Sequence, residues 1–412
     1  MPLDRLSPVL EAHVAGLEKA GTAKGTEHVV VAVRPPSGDR GPRFLLRGHG
    51  EKEFIRMNSN SYMGLGLHPD VMAAEEEATR TFGAGPGAVR FISGTYQAHV
   101  ELERKLAEFH GREAAMVFSS AYATIVSTLV PLVTAETVLI SDALNHNCII
   151  NAMRLARPLG KEVYKHLDLA QLDEQLAAWA GKAKRAVVVT DGIFSMRGDH
   201  APLDRILEIC RKHDSAYPEN VVLVVDDSHG VGAFGPTGRG TEEYTKCPPV
   251  DVLVGTLGKA FGVNGGYVTS NAAFIRFLRE SSMMYIYSNP ITVGEAAAAL
   301  RALEIVDSAE GRSRLARLSA LTRRFEEGLG RVGIETIPGE HPVVPMMIRD
   351  TQKTRELVRW LFENGVLVTG LAFPVVPRGD EEIRTQVNAD HTEADIDHVL
   401  DLLSRYKTQE AV

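Results

Sequence analysis

The sequence predicts an α/β protein, with a large domain whose mostly parallel sheet is covered by helices and a smaller C-terminal α/β domain. Three observations carry this. From about Asn58 onward, short apolar runs alternate with longer amphipathic segments, and most runs are continuous, as in strands covered on both faces. Several runs end in a carboxylate, an imidazole or a lysine, at the strand edge where open parallel sheets collect ligands. After Ile291 the texture changes to a long helical segment followed by shorter strand and helix alternation.

Leu6, Val9, Leu10, His13, Val14 and Leu17 recur at helical spacing, an amphipathic arm before the main body. A Gly- and Lys-containing joint at Ala20–Gly25 leads to a short strand at Val29–Val33. The strands of the large domain are Ala115–Phe118, Thr137–Ser141, Ala186–Thr190, Val221–Val225, Val252–Gly255 and Gly266–Thr269. Helices at Leu102–Phe109, Leu169–Ala180 and Leu203–Lys212 sit between them. Helical segments at Val293–Ile305 and Arg314–Leu329 then lead to strands at Val343–Met347, Val366–Val368 and Glu382–Gln386. These alternate with helices at Thr354–Glu363 and Ala394–Leu403. The division is residues 1–57 as a helical arm with a short strand, 58–292 as the large domain, and 293–412 as the small C-terminal domain.

The chain has 412 residues, 44% hydrophobic and 24% charged, the balance of an ordinary globular protein. A net charge of −8 argues against nucleic acid or an anionic membrane as partner. It leaves room for an anionic cofactor, because backbone N–H groups at a helix start bind phosphate on an acidic protein. Cys148, Cys210 and Cys247 form neither a metal-ligand spacing nor an even disulfide set, so a reduced, cytoplasmic setting with no metal is expected. The longest apolar stretch, Ile125–Val133, is broken by Ser127, Thr128 and Pro131, and no membrane span is expected.

The strand-like run Val252–Gly255 exits through Thr256 to Lys259, a single lysine among Gly258, Gly262, Gly265 and Gly266. About 30 residues upstream, Val221–Val225 ends in Asp226, with His229 just beyond. An enclosed amine forms an imine with an aldehyde, and an acid at the neighbouring strand end keeps a pyridine nitrogen protonated. That pair suits pyridoxal 5′-phosphate (PLP). Asp227 points the other way by strand geometry and is expected to be structural. His146 sits in a loop after its strand; a flat imidazole there would stack if it lay over a pyridine ring. Ser119-Ser120-Ala121-Tyr122 opens an apolar helical run, a suitable cradle for phosphate. Any one such residue is ordinarily a cap or loop residue; four strand ends on one edge favour a shared site. Gly230-Val-Gly232-Ala-Phe-Gly235 matches the dinucleotide G-x-G-x-x-G pattern but is refused, because it neither follows a strand directly nor opens a helix.

The motifs Asn60-Ser-Tyr-Met-Gly-Leu, Gly83 to Thr95, Ser141 to His146, Thr190 to Met196, Val225 to Gly232, Gly255-Thr-Leu-Gly-Lys259 and Phe373 to Gly379 with Ile383-Arg384 run in order along the chain. In that combination it resembles the α-oxoamine synthases, PLP-dependent enzymes of fold type I, and within them the glycine C-acetyltransferase branch. The resemblance implies that Lys259 carries the cofactor aldehyde and moves the substrate α-proton, and that Asp226 pairs with the ring nitrogen. It implies that His146 stacks on the ring, that Ser195 and His229 contact its phenolic side, and that Ala121, Tyr122 and Thr256 bind the phosphate edge. Ser288 and Asn289 would reach in from the second subunit of a homodimer with shared sites, and Asn60 with Arg384 would grip the amino-acid carboxylate.

The implied reaction joins glycine to the thioester carbon of acetyl-CoA, giving 2-amino-3-oxobutanoate and CoA. The chain departs from that branch at His146-Asn147-Cys148, where the family usually reads His-Ala-Ser, and at Ile125, commonly asparagine. A related synthase with another amino acid or a longer acyl donor, of the 8-amino-7-oxononanoate synthase or serine palmitoyltransferase kind, is the alternative reading. A plain aminotransferase is a third. A non-catalytic partner subunit is disfavoured by the presence of the lysine.

Overall fold

The computed structural model describes residues 3–410 other than 21, 24, 374, 375 and 377, so Pro374, Val375 and Pro377 of the Phe373–Gly379 motif lie outside the described residues. Seven strands form the central sheet, in the order Ala114–Phe118, Gly266–Ser270, Val252–Thr256, Val221–Asp226, Arg185–Asp191, Thr137–Asp142, Gly160–Tyr164. Gly266–Ser270 runs antiparallel to both neighbours, and the other pairs are parallel. The continuous apolar runs have the expected cause. Along Arg185–Asp191, Val187 and Val189 enter the core on one face while Ala186 and Val188 enter the core on the other.

Each expected strand of this sheet is present, longer by a residue or two. The edge strand Gly160–Tyr164 was not expected: its burial alternates and it carries Lys161 and Glu162, the mark of a strand exposed on one face. Two smaller sheets complete the fold. Val30–Arg34, Arg43–Leu46, Glu53–Arg56 and Val366–Leu367 form one, bringing the N-terminal segment beside the C-terminal region. Glu335–Thr336, Val343–Met347, Glu382–Gln386 and Thr369–Leu371 form the other, all antiparallel.

The helix Ser7–Ala20 exists, but none of its residues is buried, so its apolar stripe covers nothing in this chain. The helices Val293–Val306 and Ala309–Val332 are separate: Asp307 closes the first, and the Ser308 side chain accepts from the N–H groups of Glu310 and Gly311 to start the second. Among the described residues no helix is long and apolar enough to cross a membrane.

At the end of the strand Thr137–Asp142, His166 bridges two carboxylates, with Nδ1 3.1 Å from Asp142 and Nε2 3.2 Å from Asp199. Burial opposes a charged imidazole here, but the hydrogen bonds to Asp142 and Asp199 outweigh it and raise the pKa from 6.5 to about 9. A raised pKa stabilises the fold fully below the unfolded value and loses that contribution as pH climbs through about 9. His166→Gln is therefore expected to cost on the order of 2 kcal/mol at pH 6 and much less at pH 10. Equal losses of melting temperature at both pH values would refute the charge argument.

Candidate active site

The carboxyl ends of the parallel strands deliver the site. Asp226 is the last residue of Val221–Asp226, and only 5% of it is exposed. One of its oxygens accepts from the Ser228 N–H at 3.1 Å, and the other, among the described residues, meets the Cys148 thiol alone, at 3.5 Å. Lys259 follows Val252–Thr256 by three residues. Burial lowers its amine from 10.5 to about 8, against the pull of Asp226 and Asp191, and Arg384 lowers it further. These groups therefore lie within electrostatic reach of one another: Asp191, Asp226 and Lys259 at the carboxyl edge of the central sheet, and Arg384 from the smaller C-terminal sheet.

His146 caps the helix Asn147–Leu155, and its backbone N–H donates to Asp191 Oδ2 at 3.1 Å. Its Nδ1 accepts from the Cys148 N–H at 3.3 Å and lies 2.9 Å from the Cys148 sulfur. Burial, with Lys259 and Arg384 near, lowers its pKa despite Asp226. A neutral ring with Nδ1 as acceptor carries its proton on Nε2. His229 is buried, its Nδ1 sits 2.8 Å from the Tyr62 hydroxyl, and burial with Lys259 and Arg384 holds it well below its usual value.

Arg384, in the middle of Glu382–Gln386, donates from Nε to the Ser195 carbonyl at 2.6 Å and from Nη2 to Asn60 Oδ1 at 3.1 Å. The Tyr62 hydroxyl lies 3.2 Å from the same Asn60 oxygen, joining Arg384 to His229 in one network.

Ala121 and Tyr122 open the helix Ala121–Leu132, whose cap is Ser120, accepting from the Ala123 N–H at 3.1 Å. A Cβ on Gly266 would lie 2.3 Å from the Ala121 nitrogen, so only glycine lets the strand pass this close to the helix start. Tyr122 is exposed, meets His146 edge-on at 6.5 Å and shares its hydroxyl with Asn147 and Asn151. The Thr256 hydroxyl is already engaged within its own loop, donating to the Gly265 carbonyl at 3.2 Å and accepting from the Gly258 N–H at 3.1 Å. Ser288 and Asn289 are exposed and make no hydrogen bond to the other site residues in this chain.

Asp227 faces away, as strand geometry requires. It accepts from the Thr241 N–H and hydroxyl, both at 2.6 Å, and burial pushes its carboxyl up to about 7. Gly230 of the refused G-x-G-x-x-G run packs against this carboxylate, where a Cβ would lie 2.2 Å from Asp227 Oδ1. Gly230 closes on this buried acid, while Gly232 packs against Ala260 and Phe261 and Gly235 against Glu243.

Three participants are not singled out as site residues by the sequence, although Tyr62 and Asp191 lie inside quoted motifs and only His341 lies in none. Asp191 keeps Oδ1 buried without a hydrogen-bond partner among the described residues, and burial beside Asp226 raises its pKa well above normal. Tyr62 links two predicted residues. His341, buried and 5.2 Å from the Tyr62 ring, reaches the His229 carbonyl at 2.9 Å. Cavity size is a poor guide here: an opening of about 660 Å³ lies at the amino ends of the strands, beside Val221 and Val252, and shares none of these residues.

The donor set fits PLP. A buried carboxylate that makes no ion pair among the described residues suits a pyridinium, a depressed amine suits an aldehyde, and a helix start suits a phosphate. Fold and site together define the class as PLP-dependent enzymes of fold type I. Comparison with known proteins agrees. Residues 52–403 match the family model described as aminotransferase class I and II. The 8-amino-7-oxononanoate synthase of Symbiobacterium thermophilum is 39% identical over 397 residues, 96% of each chain. That of Geobacter sulfurreducens is 36% identical, covering 91% of this chain and 93% of the other. A variant serine palmitoyltransferase from S. paucimobilis with a bound PLP–myriocin aldimine superposes with a TM-score of 0.87 at 27% identity, covering 98% of this chain and 97% of that one. The chain belongs to the aminotransferase class I and II family and, within it, to the α-oxoamine synthases, PLP-dependent C-acyltransferases.

Proposed function

We propose that the chain is an 8-amino-7-oxononanoate synthase-like enzyme, condensing a small amino acid with an acyl-CoA that ends in a carboxylate. The name of that product dictates the disconnection. Its terminal methyl and amino-bearing carbon come from alanine, its ketone from the thioester carbonyl, and its carboxylate from the far end of a seven-carbon diacid. Alanine and heptanedioyl-CoA then give the product, CoA and carbon dioxide. The relatives named above support this reading over glycine with acetyl-CoA, which would keep the amino-acid carboxylate and release no carbon dioxide.

The observation that carries the chemistry is the shared environment of Lys259, Asp226 and Arg384. Bound there, PLP supplies an electron sink for the charge that develops at the substrate α-carbon. Asp226 would hold the ring nitrogen, His146 would cover the ring, and Ser195 and His229 would meet its phenolic side. The open N–H groups at Ala121 and Tyr122, with Thr256 beside them, would take the phosphate. Lys259, with an amine near 8, would hold the aldehyde and then carry a proton to or from the α-carbon at neutral pH. Arg384 with Asn60 would orient the amino-acid carboxylate, and so choose which bond at that carbon reacts.

A homodimer completing each site with Ser288 and Asn289 is part of the proposal. The exposure of Met283 and Tyr287 beside them, and of Val30 and Val31 on an edge strand, supports it.

Holoenzyme given alanine and heptanedioyl-CoA should release thiol and carbon dioxide in equal amounts. Pyridoxamine phosphate with no free thiol would point to the aminotransferase reading. Thiol without carbon dioxide, from glycine and acetyl-CoA alone, would restore the acetyltransferase reading. Arg384→Met is expected to raise the amino-acid KM about 100-fold, the worth of a charge-assisted pair of hydrogen bonds, while leaving the acyl-CoA KM nearly unchanged. Equal rises in both would remove Arg384 from carboxylate binding.

A further inference from the structure

A second arginine stands one residue beyond the core face of the strand Glu53–Arg56. The Arg56 guanidinium lies over the Phe44 ring at 4.1 Å, and among the described residues no hydrogen bond or ion pair reaches it. Burial lowers its pKa, with no carboxylate acting to raise it. Arg56 is half-buried, and a partly desolvated cation without a counter-ion is ordinarily paired.

Arg56 lines a cavity of about 330 Å³ whose walls include Val30, Val33, Phe44 and Leu67. The same cavity is bordered by Ser61, next to Asn60, and by Gly262, three residues past Lys259. It therefore adjoins the segments that carry both the carboxylate-gripping and the amine groups. Two other titratable residues face it. Asp390 is tied to Arg314 at 3.2 Å, and His391 is held neutral, burial lowering its pKa to about 4. His391 Nε2 is engaged by the Arg56 carbonyl at 3.3 Å. Arg56 is the cation facing this cavity that lacks a partner.

Resting on the synthase reading above, we infer that this cavity is the acyl-tail subsite, and that Arg56 binds the terminal carboxylate of a dicarboxylic acyl thioester whose methylenes run along the apolar wall. A nucleotide phosphate shares the anionic chemistry, but the valine, phenylalanine and leucine wall favours a hydrocarbon tail.

The test is calorimetric titration of wild-type, Arg56→Met and Arg56→Lys holoenzymes with heptanedioyl-CoA, heptanoyl-CoA and free CoA. Arg56→Met is expected to weaken heptanedioyl-CoA roughly 10- to 100-fold while leaving heptanoyl-CoA and CoA unchanged, with Arg56→Lys restoring part of the loss. Parallel weakening of all three ligands would assign the guanidinium to a CoA phosphate and overturn the inference. So would no change in any of them, which would leave Arg56 as a partner of Phe44 alone. Matching melting curves for Arg56→Lys and wild type keep the comparison sound if Arg56→Met folds poorly. The two readings fail separately: a wild-type enzyme that releases thiol from heptanoyl-CoA as readily as from heptanedioyl-CoA sinks this inference and leaves the synthase standing, whereas no thiol from any acyl-CoA sinks the synthase.

Discussion

Lys259→Ala is expected to lower turnover by about 10⁴-fold or more and to abolish covalent retention of PLP after borohydride reduction. On the proposed function two roles would be removed at once, the tether for the aldehyde and the proton carrier at the α-carbon. The environment explains why no neighbour replaces it. His229 and His146 are both pushed toward neutrality by burial and nearby cations, and neither is a primary amine. Cys148 is held as a thiol by burial and by the adjacent Asp226 and Asp191. Lys259→Arg should fail equally, since a guanidinium stays charged and forms no imine. The pH profile supplies a second readout. An amine near 8 in the unliganded protein predicts that association with PLP accelerates as pH rises through about 8, where the neutral amine accumulates. A flat association rate from pH 6 to 9, or a labelled peptide that lacks position 259, would show that another group carries the cofactor.

That lysine was legible in the sequence because two physical signals coincide, an apolar strand and a glycine-lined exit with almost no other charge. The parallel strands were legible for a related reason: burial on both faces imposes continuous apolar runs such as Val221–Val225. What escaped is set by contacts distant in sequence. Glu335–Thr336 and Thr369–Leu371 are too short to pattern and are strands only through pairing with Val343–Met347 and Glu382–Gln386. His341 reaches the site because its loop lies against the His229 carbonyl, 112 residues away in sequence. Arg56 was silent too: a strand residue becomes informative only when the structure shows that nothing pairs with it. Cys148 was visible as a departure from the family motif, but its contact with Asp226 required the fold.

The adjacent acids Asp226 and Asp227 give the sharpest separation of chemistry from architecture, and the second large effect. Asp226→Asn is expected to reduce turnover about 10³-fold, the scale on which loss of one well-placed electrostatic partner acts. Its side chain is nearly isosteric and keeps an oxygen for the Ser228 N–H, so the fold should persist. Covalent retention of PLP through Lys259 should persist as well, which distinguishes this variant from Lys259→Ala. Asp227→Asn should behave in the opposite way. Its carboxyl, raised to about 7 by burial, is about half protonated near pH 7 and serves the Thr241 N–H and hydroxyl. Exchanging it for an amide disturbs those bonds and is expected to cost about 1–3 kcal/mol of stability, with turnover per folded molecule near wild type. Melting curves and active-site titration separate the two outcomes. If the Asp227 variant lost as much turnover per bound PLP as the Asp226 variant, the proposed pairing of Asp226 with the ring nitrogen would be refuted.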